Sequence, residues 1–372
     1  MSLGLPDGVL GVAWPSIRRT FDLPLSGLGA LLVATTTGYL AASTASGALV
    51  MRLGVGGLLL ASSLVMVASL STFALAPAFF AILVAGAFAG VGGGAIDAGI
   101  NAFAATSLSP ARTAWLHAFW GLGATLGPLV VTAVLAAGLS WRWGYAVIAL
   151  VLASMAVVFA ITRDAWPAVV SVDAASPRGP TLVDTLRRPV VVAHVAIFFL
   201  YTGLEAAAGQ WMYSLLTEAR AVPAVVAGVW TAVYWGGLCA GRVALASLLR
   251  ATPIERVLRM TLAIASLAAI LIWLGDDSTL AVVGIAALGL SLAPVYPLLV
   301  SATPRRVGAS HAAHAIGAQV AAAYLGVATL PGVAGVIART WGLETLGPAL
   351  TVMACALFLL HEVVMRSPGL SE

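Results

Sequence analysis

Three carboxylic acids inside long apolar stretches are the residues best suited to do chemistry in this sequence: Asp7, Asp97 and Glu205. An ionised side chain at the centre of an apolar helix costs roughly 3 kcal/mol or more in hydrocarbon, so residues of this kind usually have a function. A carboxyl group that is neutral when enclosed and ionised when open to water can couple proton binding to a conformational change. We therefore predict that these three acids are proton-coupling residues.

Asp97 has a polar neighbour on its own predicted helix. Asn101 follows it by four residues, which places both side chains on one helix face. His117 lies a few residues into the next apolar stretch, where a carboxylate could hold its imidazole or exchange a proton with it. Two interpretations stay open: a network that lines or gates a cavity, and a hydrogen-bonded cluster that only pins two helices together.

Glu205 follows Tyr201 by four residues, and its own apolar stretch contains no arginine. A carboxyl group in such surroundings should be protonatable near neutral pH. It could couple proton movement, or it could stay protonated and only form hydrogen bonds. Asp7 stands between Pro6 and Gly8, where we expect a broken helix whose backbone groups could bind a solute or an ion. The alternative is that Asp7 lies at the mouth of a truncated helix.

Aromatic and amide side chains accompany these acids within the apolar stretches. Aromatic rings stack on a sugar-like or other amphipathic ring, and amides bond to its hydroxyl groups. We therefore predict that a solute-binding cavity is lined by Asn101, His117, Trp120, Tyr201, Gln210, Trp211, Tyr234, Tyr296 and Gln319.

Other chemistries find no support in the sequence. No nucleophile, acid and base can be assembled into a catalytic set, so an enzyme is not predicted. The glycine-rich segment 90–94 lacks the Gly-Lys-Ser/Thr ending of a phosphate loop. His311 and His314 are too few for a metal site, and Cys239 and Cys355 lie in apolar stretches as small hydrophobic residues. We expect no metal, no cofactor and, since the net charge of +4 is scattered over short loops, no nucleic acid partner.

The elements that must position these residues are long apolar helices. Hydrophobic residues make up 61% of the 372 residues and charged residues 9%, against roughly a quarter charged in soluble domains. The apolar stretches are long enough to cross a hydrocarbon core of about 30 Å at ~1.5 Å per residue. Polar or Pro/Gly-rich segments separate the apolar stretches and mark the ends of the spans. They predict an all-α membrane protein with twelve spans, at 2–17, 26–50, 55–75, 78–105, 113–138, 142–162, 190–217, 224–249, 259–274, 279–302, 309–337 and 345–365.

The first of these spans is short and contains Pro6, Asp7 and Pro15 before the arginine pair at 18–19. No cleavable signal peptide is evident, because no basic segment precedes the apolar start. We expect either that residue 1 is not the true start, so that the first helix is truncated, or that this span is tilted and broken.

A polar segment at 163–189 separates six spans from six. We therefore predict an N-terminal half at 1–162, a linker at 163–189 and a C-terminal half at 190–372. If both termini are cytoplasmic, twelve arginines lie in cytoplasmic loops and five in the opposite loops, which is the bias expected of membrane proteins. The linker is then cytoplasmic as well. We expect a multi-pass, monomeric protein of the cytoplasmic (inner) membrane.

Several motifs resemble those of the major facilitator superfamily and, within it, the branch of the fucose–proton symporters. One is similar to the loop that gates the cytoplasmic side in the superfamily, with Gly47, Arg52 and Gly54 at matching positions, although Met51 replaces the usual Asp. The others are similar to the branch's fourth, fifth, seventh and tenth helices: Asp97-x-x-x-Asn101, Leu116-His117-x-x-Trp120-Gly121, Tyr201-x-Gly203-x-Glu205 and Pro294-x-Tyr296-Pro297.

The resemblance implies two six-helix halves and secondary active transport of a small solute, such as a sugar, by alternating access. It implies coupling to protons or another ion in a lipid bilayer. Acids of the first and fourth helices handle solute and protons in that family, which implies these roles for Asp7 and Asp97. The alternatives are a drug or metabolite exporter of the same superfamily, a non-transporting membrane receptor, which the altered gate at Met51 favours, and, with least support, a membrane enzyme.

Overall fold

A computed structural model describes residues 1–166, 180–248, 252–275 and 278–366. Within these ranges the chain is almost entirely helical and contains no β-strand. The helices are α1 Gly4–Thr20, α2 Gly27–Leu75, α3 Phe79–Ser107, α4 Pro110–Ala136, α5 Trp141–Ile161, α6 Leu182–Leu186, α7 Pro189–Ser214, α8 Ala224–Leu248, α9 Ile254–Leu274, α10 Ser278–Leu292, α11 Val295–Val307, α12 Ala309–Trp341 and α13 Leu346–Arg366.

The predicted class, an all-α membrane protein, is confirmed. In the described part of the chain, ten helical segments are long and apolar enough to cross a membrane, and α10 with α11 form one of these. Helix α2 has 49 residues, which corresponds to ~74 Å at 1.5 Å per residue, more than twice the thickness of the hydrocarbon core. It therefore supplies two spans. If the 17-residue α1 is counted as well, the described helices account for the number of spans predicted from the sequence, which is twelve.

The two spans of α2 meet at Gly54. Its backbone has φ +67° and ψ 170°, in the middle of an otherwise helical segment. Positive φ is readily adopted only by glycine, because a Cβ would collide with the following carbonyl group. The predicted loop between the second and third spans is therefore reduced to a single non-helical residue.

Helix α1 corrects the prediction of a broken first span. It is continuous from Gly4 to Thr20, and it extends past the arginine pair that was predicted to end it. Pro6 lies in the first turn, where a missing N–H group costs no intrahelical hydrogen bond. Asp7 is therefore on a regular helix, and the backbone groups around it are not released by a break.

The chain divides into two compact units. The first contains Met1–Val172 together with Pro223–Ala232, and the second contains Asp173–Val222 together with Val233–Glu372. In the first unit α2 packs on α3 and α5, and α1 packs on α4. In the second unit α7 packs on α12 and α13, and α9 packs on α10 and α13.

An arginine caps the end of α2 in the first unit. The Arg142 guanidinium donates hydrogen bonds to the carbonyl oxygens of Ala74, at 3.0 Å, and Ala76, at 2.7 Å. It also lies 4.9 Å from the ring centroid of Trp141. Carbonyl groups at a helix C-terminus carry partial negative charge and lack partners within the helix. Arg142 supplies both a donor and a positive charge for them.

The second unit contains a corresponding contact. Helix α7 continues into one π-helical turn, Leu215–Ala219, and Arg220 follows directly. The Arg220 guanidinium donates to the carbonyl oxygens of Ile272, at 2.8 Å, and Gly275, at 3.1 Å, at the end of α9. It also pairs with Glu344 at 2.9 Å. One arginine thus joins three segments of this unit.

Candidate functional site

The Asp97 carboxylate of α3 accepts a hydrogen bond on each of its oxygens. The hydroxyl group of Tyr39 on α2 donates to Oδ2 at 2.5 Å, and the amide of Asn101 donates to Oδ1 at 3.0 Å. Hydrogen bonds to an ionised acceptor are stronger than those between neutral groups. All three side chains are half-buried. The predicted pairing of Asp97 with Asn101 is therefore present, and Tyr39 is a third member that the sequence did not reveal.

Close packing of α2 on α3 brings Tyr39 to this carboxylate. Gly94 lies one turn before Asp97, and a Cβ atom at Gly94 would collide with the backbone carbonyl oxygen of Tyr39. Small residues at such positions allow the backbones of membrane helices to approach closely. The signal for this contact in the sequence was the series of glycines along α3, but that series does not say which helix will pack against it.

Asp7 pairs with a different helix from Asp97. The indole N–H of Trp120 on α4 donates to Asp7 Oδ2 at 3.0 Å. Asp7 lies in the first turn of α1, where the helix dipole favours a negative charge. His117, three residues before Trp120, is exposed on α4. Two of the predicted candidates, Asp7 and Trp120, are thus brought together.

Glu205 on α7 lies among phenol groups. The hydroxyl of Tyr201, one turn earlier, donates to Glu205 Oε2, and the hydroxyl of Tyr234 on α8 donates to the Glu205 backbone oxygen at 2.8 Å. The Arg242 guanidinium, also on α8, interacts electrostatically with the Glu205 carboxylate. Glu205 has no arginine on its own helix, as the sequence shows, but a cation comes from the neighbouring helix.

Aromatic rings form a wall beside Glu205. The ring of Tyr296 lies 6.4 Å from that of Tyr201 and 5.4 Å from that of Phe198, centroid to centroid. Tyr201 and Tyr234 are buried, whereas Tyr296 is half-buried. An aromatic wall next to a carboxylate can hold a ring-shaped solute and bond to its hydroxyl groups.

Three further predicted cavity residues are buried in helix packing. Trp211 is 1% exposed, and its indole N–H donates to the carbonyl oxygen of Pro331 on α12 at 2.8 Å. Gln319 is fully buried, and its amide oxygen accepts from the Thr303 hydroxyl at 3.1 Å. Gln210 is buried as well. Trp211 and Gln319 thus join helices of the second unit.

The residues that resemble a cytoplasmic gate lie around the kink of α2. Gly47, Met51, Arg52 and Gly54 are all exposed. Met51, which stands where the resemblance expects Asp, is 77% exposed. A thioether cannot form an ion pair, so Met51 does not supply the negative charge that an Asp would bring to this turn.

Within the described ranges no three His, Cys, Asp or Glu side chains are grouped so that they could hold a metal ion.

Comparisons with known proteins give a uniform result. The family model described as Major Facilitator Superfamily matches residues 1–331. A Saccharomyces cerevisiae protein named "Bypass of stop codon protein 6" is 24% identical over an alignment that covers 96% of this chain and 79% of the yeast protein.

Three solved transporters share the fold. The nucleoside transporter NupG superposes with a TM-score of 0.75 at 14% identity, and the match covers 98% of this chain and 99% of the NupG chain. The E. coli fucose:proton symporter FucP has a TM-score of 0.64 at 15% identity, covering 98% and 96%. The human organic anion transporter TETRAN has a TM-score of 0.64 at 19% identity, covering 91% and 83%.

Proposed function

The chain belongs to the major facilitator superfamily, whose members are membrane transporters and not enzymes, and from this premise we propose that it is a proton-coupled secondary transporter. It moves a small polar solute by alternating access of the halves 1–162 and 190–372. The coupling groups are Asp97 and Glu205, with Asp7 as a third candidate.

One observation carries this proposal: each compact unit holds a carboxylate inside a membrane-spanning helix, with a tyrosine hydroxyl donating to it. Asp97 and Tyr39 form this pair in the first unit, and Glu205 and Tyr201 form it in the second. Membrane-embedded acids are costly and are found where protons or ions are handled. A purely structural role would not require such a membrane-embedded acid in each unit.

Protonation gives each cluster two states. When Asp97 is ionised, its two oxygens hold Tyr39 and Asn101 by charge-assisted hydrogen bonds. A proton on Asp97 weakens both bonds and loosens the contact between α2 and α3. A proton on Glu205 removes its electrostatic attraction to Arg242 on α8. In both cases proton binding changes how two helices are held together, which is the coupling that alternating access needs.

The solute we propose is a ring that carries hydroxyl groups, such as a sugar or a nucleoside. The aromatic wall of Tyr201 and Tyr296 beside the Glu205 carboxylate supports this class. Structural neighbours described as nucleoside and fucose transporters are consistent with it. Asn101, His117 and Trp120 are the proposed solute contacts of the first unit.

Transport by purified protein in proteoliposomes tests the proposal. A thermal-shift screen of sugars, nucleosides and organic anions at two pH values first selects a solute that stabilises the protein. An inward proton gradient should then drive accumulation of that solute, and a protonophore should abolish it. If the inward proton gradient instead drives the solute out of the liposomes, the protein is an exporter of the same superfamily. The absence of any exchange would support a receptor.

Variants of the two acids separate coupling from binding. Glu205→Gln and Asp97→Asn should each retain solute exchange but lose gradient-driven accumulation. Asp164→Asn, which changes an exposed carboxylate outside the spans, is the matched control and should accumulate normally. Full accumulation by both the Glu205 and Asp97 variants would remove the coupling assignment.

A further inference from the structure

A polar cavity lies within the second unit, lined by residues other than those around Glu205. Helices α7, α9, α11 and α13 form it, and its polar lining consists of His194, Glu255, Arg306 and His361. The rest of the wall is aliphatic apart from one methionine. Its enclosed space is about 10 Å³, enough for one small group, and it opens to solvent at one side.

His361 points to a ligand in this cavity. Its side chain is 2% exposed, and neither ring nitrogen has a hydrogen-bond partner among the described residues. Glu362 Oε1 lies 3.6 Å from its Nδ1, beyond hydrogen-bond distance. Buried polar groups are nearly always paired, since an unpaired one costs free energy. A neutral imidazole carries one N–H donor, and this donor makes no hydrogen bond with the described residues.

Arg306 is a second donor with weak partners. Its Nη2 donates to the Met365 sulfur at 2.8 Å and lies 3.8 Å from Glu255 Oε1. A thioether is a poor acceptor, whereas a guanidinium has five N–H groups to place. The remaining imidazole of the lining, His194, is engaged through Nδ1 with the Val190 carbonyl oxygen at 2.8 Å.

Arg306 supplies the positive charge of the cavity lining. Arg259 and Arg366 both pair with Glu362, but they are 53% and 77% exposed, so solvent screens their charges. Arg306 is 21% exposed, and its partner Glu255 is half-exposed and 3.8 Å away. An anion in the cavity would give the Arg306 guanidinium a closer counter-charge.

We propose that this cavity binds one small monovalent anion of the size of chloride, held by the Arg306 guanidinium and the N–H group of His361. A multivalent oxyanion fits less well, because it would need more donors than these two side chains offer. The proposal is independent of which solute the protein moves.

Thermal unfolding of the purified full chain tests the proposal. Chloride replaces gluconate at constant ionic strength up to about 200 mM, and the Tm of the wild type should rise by roughly 2 °C or more. Arg306→Gln and His361→Phe should lose this rise. Arg305→Gln should keep it, because Arg305 is the exposed neighbour on the same helix and does not line the cavity.

Bromide provides a measurement that does not depend on any variant. Crystals of the wild type grown in bromide should show an anomalous peak between Arg306 and His361. The proposal is overturned by equal Tm values in chloride and gluconate, by an undiminished chloride response in Arg306→Gln, or by bromide crystals without a peak in the cavity.

Discussion

At the scale of single residues, the two acid clusters differ in where their phenol donors come from. Tyr201 and Glu205 are four residues apart on α7, so their hydrogen bond moves with that helix. Tyr39 and Asp97 are 58 residues apart and join α2 to α3. Any sliding of α2 along α3 must break the second bond and leave the first intact. Asp97 is therefore the acid whose protonation and helix packing are most directly linked.

Tyr39→Phe tests this link, since it removes the hydroxyl donor and keeps the ring. A hydrogen bond to a charged acceptor contributes about 1.5–3 kcal/mol, so we expect gradient-driven accumulation to fall by about tenfold while solute exchange persists. Proteoliposome uptake with and without a pH gradient measures both quantities. Tyr145→Phe is the control, because it removes the same hydroxyl group from a tyrosine that stacks on Phe73; Tyr145 is buried, whereas Tyr39 is half-buried. Equal accumulation by Tyr39→Phe and wild type would contradict the link.

At the scale of the elements, α2 depends on one residue for its division into two spans. A Cβ atom at Gly54 would meet no other atom within 4 Å, so the only obstacle to a side chain there is the positive φ.

Gly54→Ala should destabilise the protein by about 1–2 kcal/mol, which is the cost of a left-handed backbone for an alanine. Gly47→Ala is a matched control, since a Cβ at Gly47 also meets nothing within 4 Å but the backbone there is helical. We expect that variant to be neutral or slightly more stable, because alanine favours helix over glycine. Thermal unfolding of the two proteins compares them directly, and equal losses in both would exclude backbone strain at the kink.

The short helix α6 has a local structure that should respond to pH. Thr181 and Asp184 form a capping box, in which the Thr181 hydroxyl donates to Asp184 Oδ2 at 2.6 Å and the Asp184 N–H donates to Thr181 Oγ1 at 3.2 Å. Hydrogen bonds from the side chain and backbone of Thr181 lower the pKa of Asp184 below its usual value. Helix α6 then contacts α12 through Thr185 and His311, 2.9 Å apart.

Because the pKa of Asp184 is lower in the folded than in the unfolded chain, the cap stabilises α6 above the usual aspartate pKa and is lost as the pH falls through the lowered value. Asp184→Asn should therefore accelerate amide hydrogen exchange of residues 182–187 at neutral pH. The difference from wild type should shrink as the solution is acidified below the usual range of an aspartate. A difference that does not depend on pH would show that the carboxylate is not the stabilising group.

At the scale of the whole molecule, orientation in the membrane is open to a direct test. The arginine distribution predicts that both termini and the linker face the cytoplasm. In a protein whose native cysteines are replaced by alanine, Leu139→Cys should react with an impermeant maleimide on intact cells, and Leu182→Cys should react only after permeabilisation. Both positions are exposed. The reverse pattern would invert the proposed topology.

The spans could be read from the sequence because hydrocarbon requires long uncharged stretches, whatever the helices pack against. The same reasoning placed Asp97 beside Asn101 and Glu205 beside Tyr201, since these pairs share a helix. Contacts between different helices could not be predicted from the sequence. Neither the donation of Tyr39 to Asp97 nor the approach of Arg242 to Glu205 follows from spacing, because both depend on which helices pack together.

The prediction that the first helix is broken was also wrong, because it depended on where that helix begins. A proline in the first turn, such as Pro6, does not interrupt a helix, yet from the sequence alone the start of that turn could not be located. Trp211 illustrates a different limit, because its indole could face a cavity or a carbonyl group, and only the fold shows that it bonds to Pro331.

The π turn at the end of α7 has a consequence for how that helix could move. A π turn accommodates one residue more than an α turn, so conversion of Leu215–Ala219 to α-helix would shift the register by one residue. Arg220 would then rotate by about 100° around the helix axis, given 3.6 residues per turn. This shift of the helix register would move the Arg220 guanidinium away from the carbonyl groups of Ile272 and Gly275. The contacts of Arg220 with the end of α9 therefore favour the π turn over a regular α turn at this point of α7.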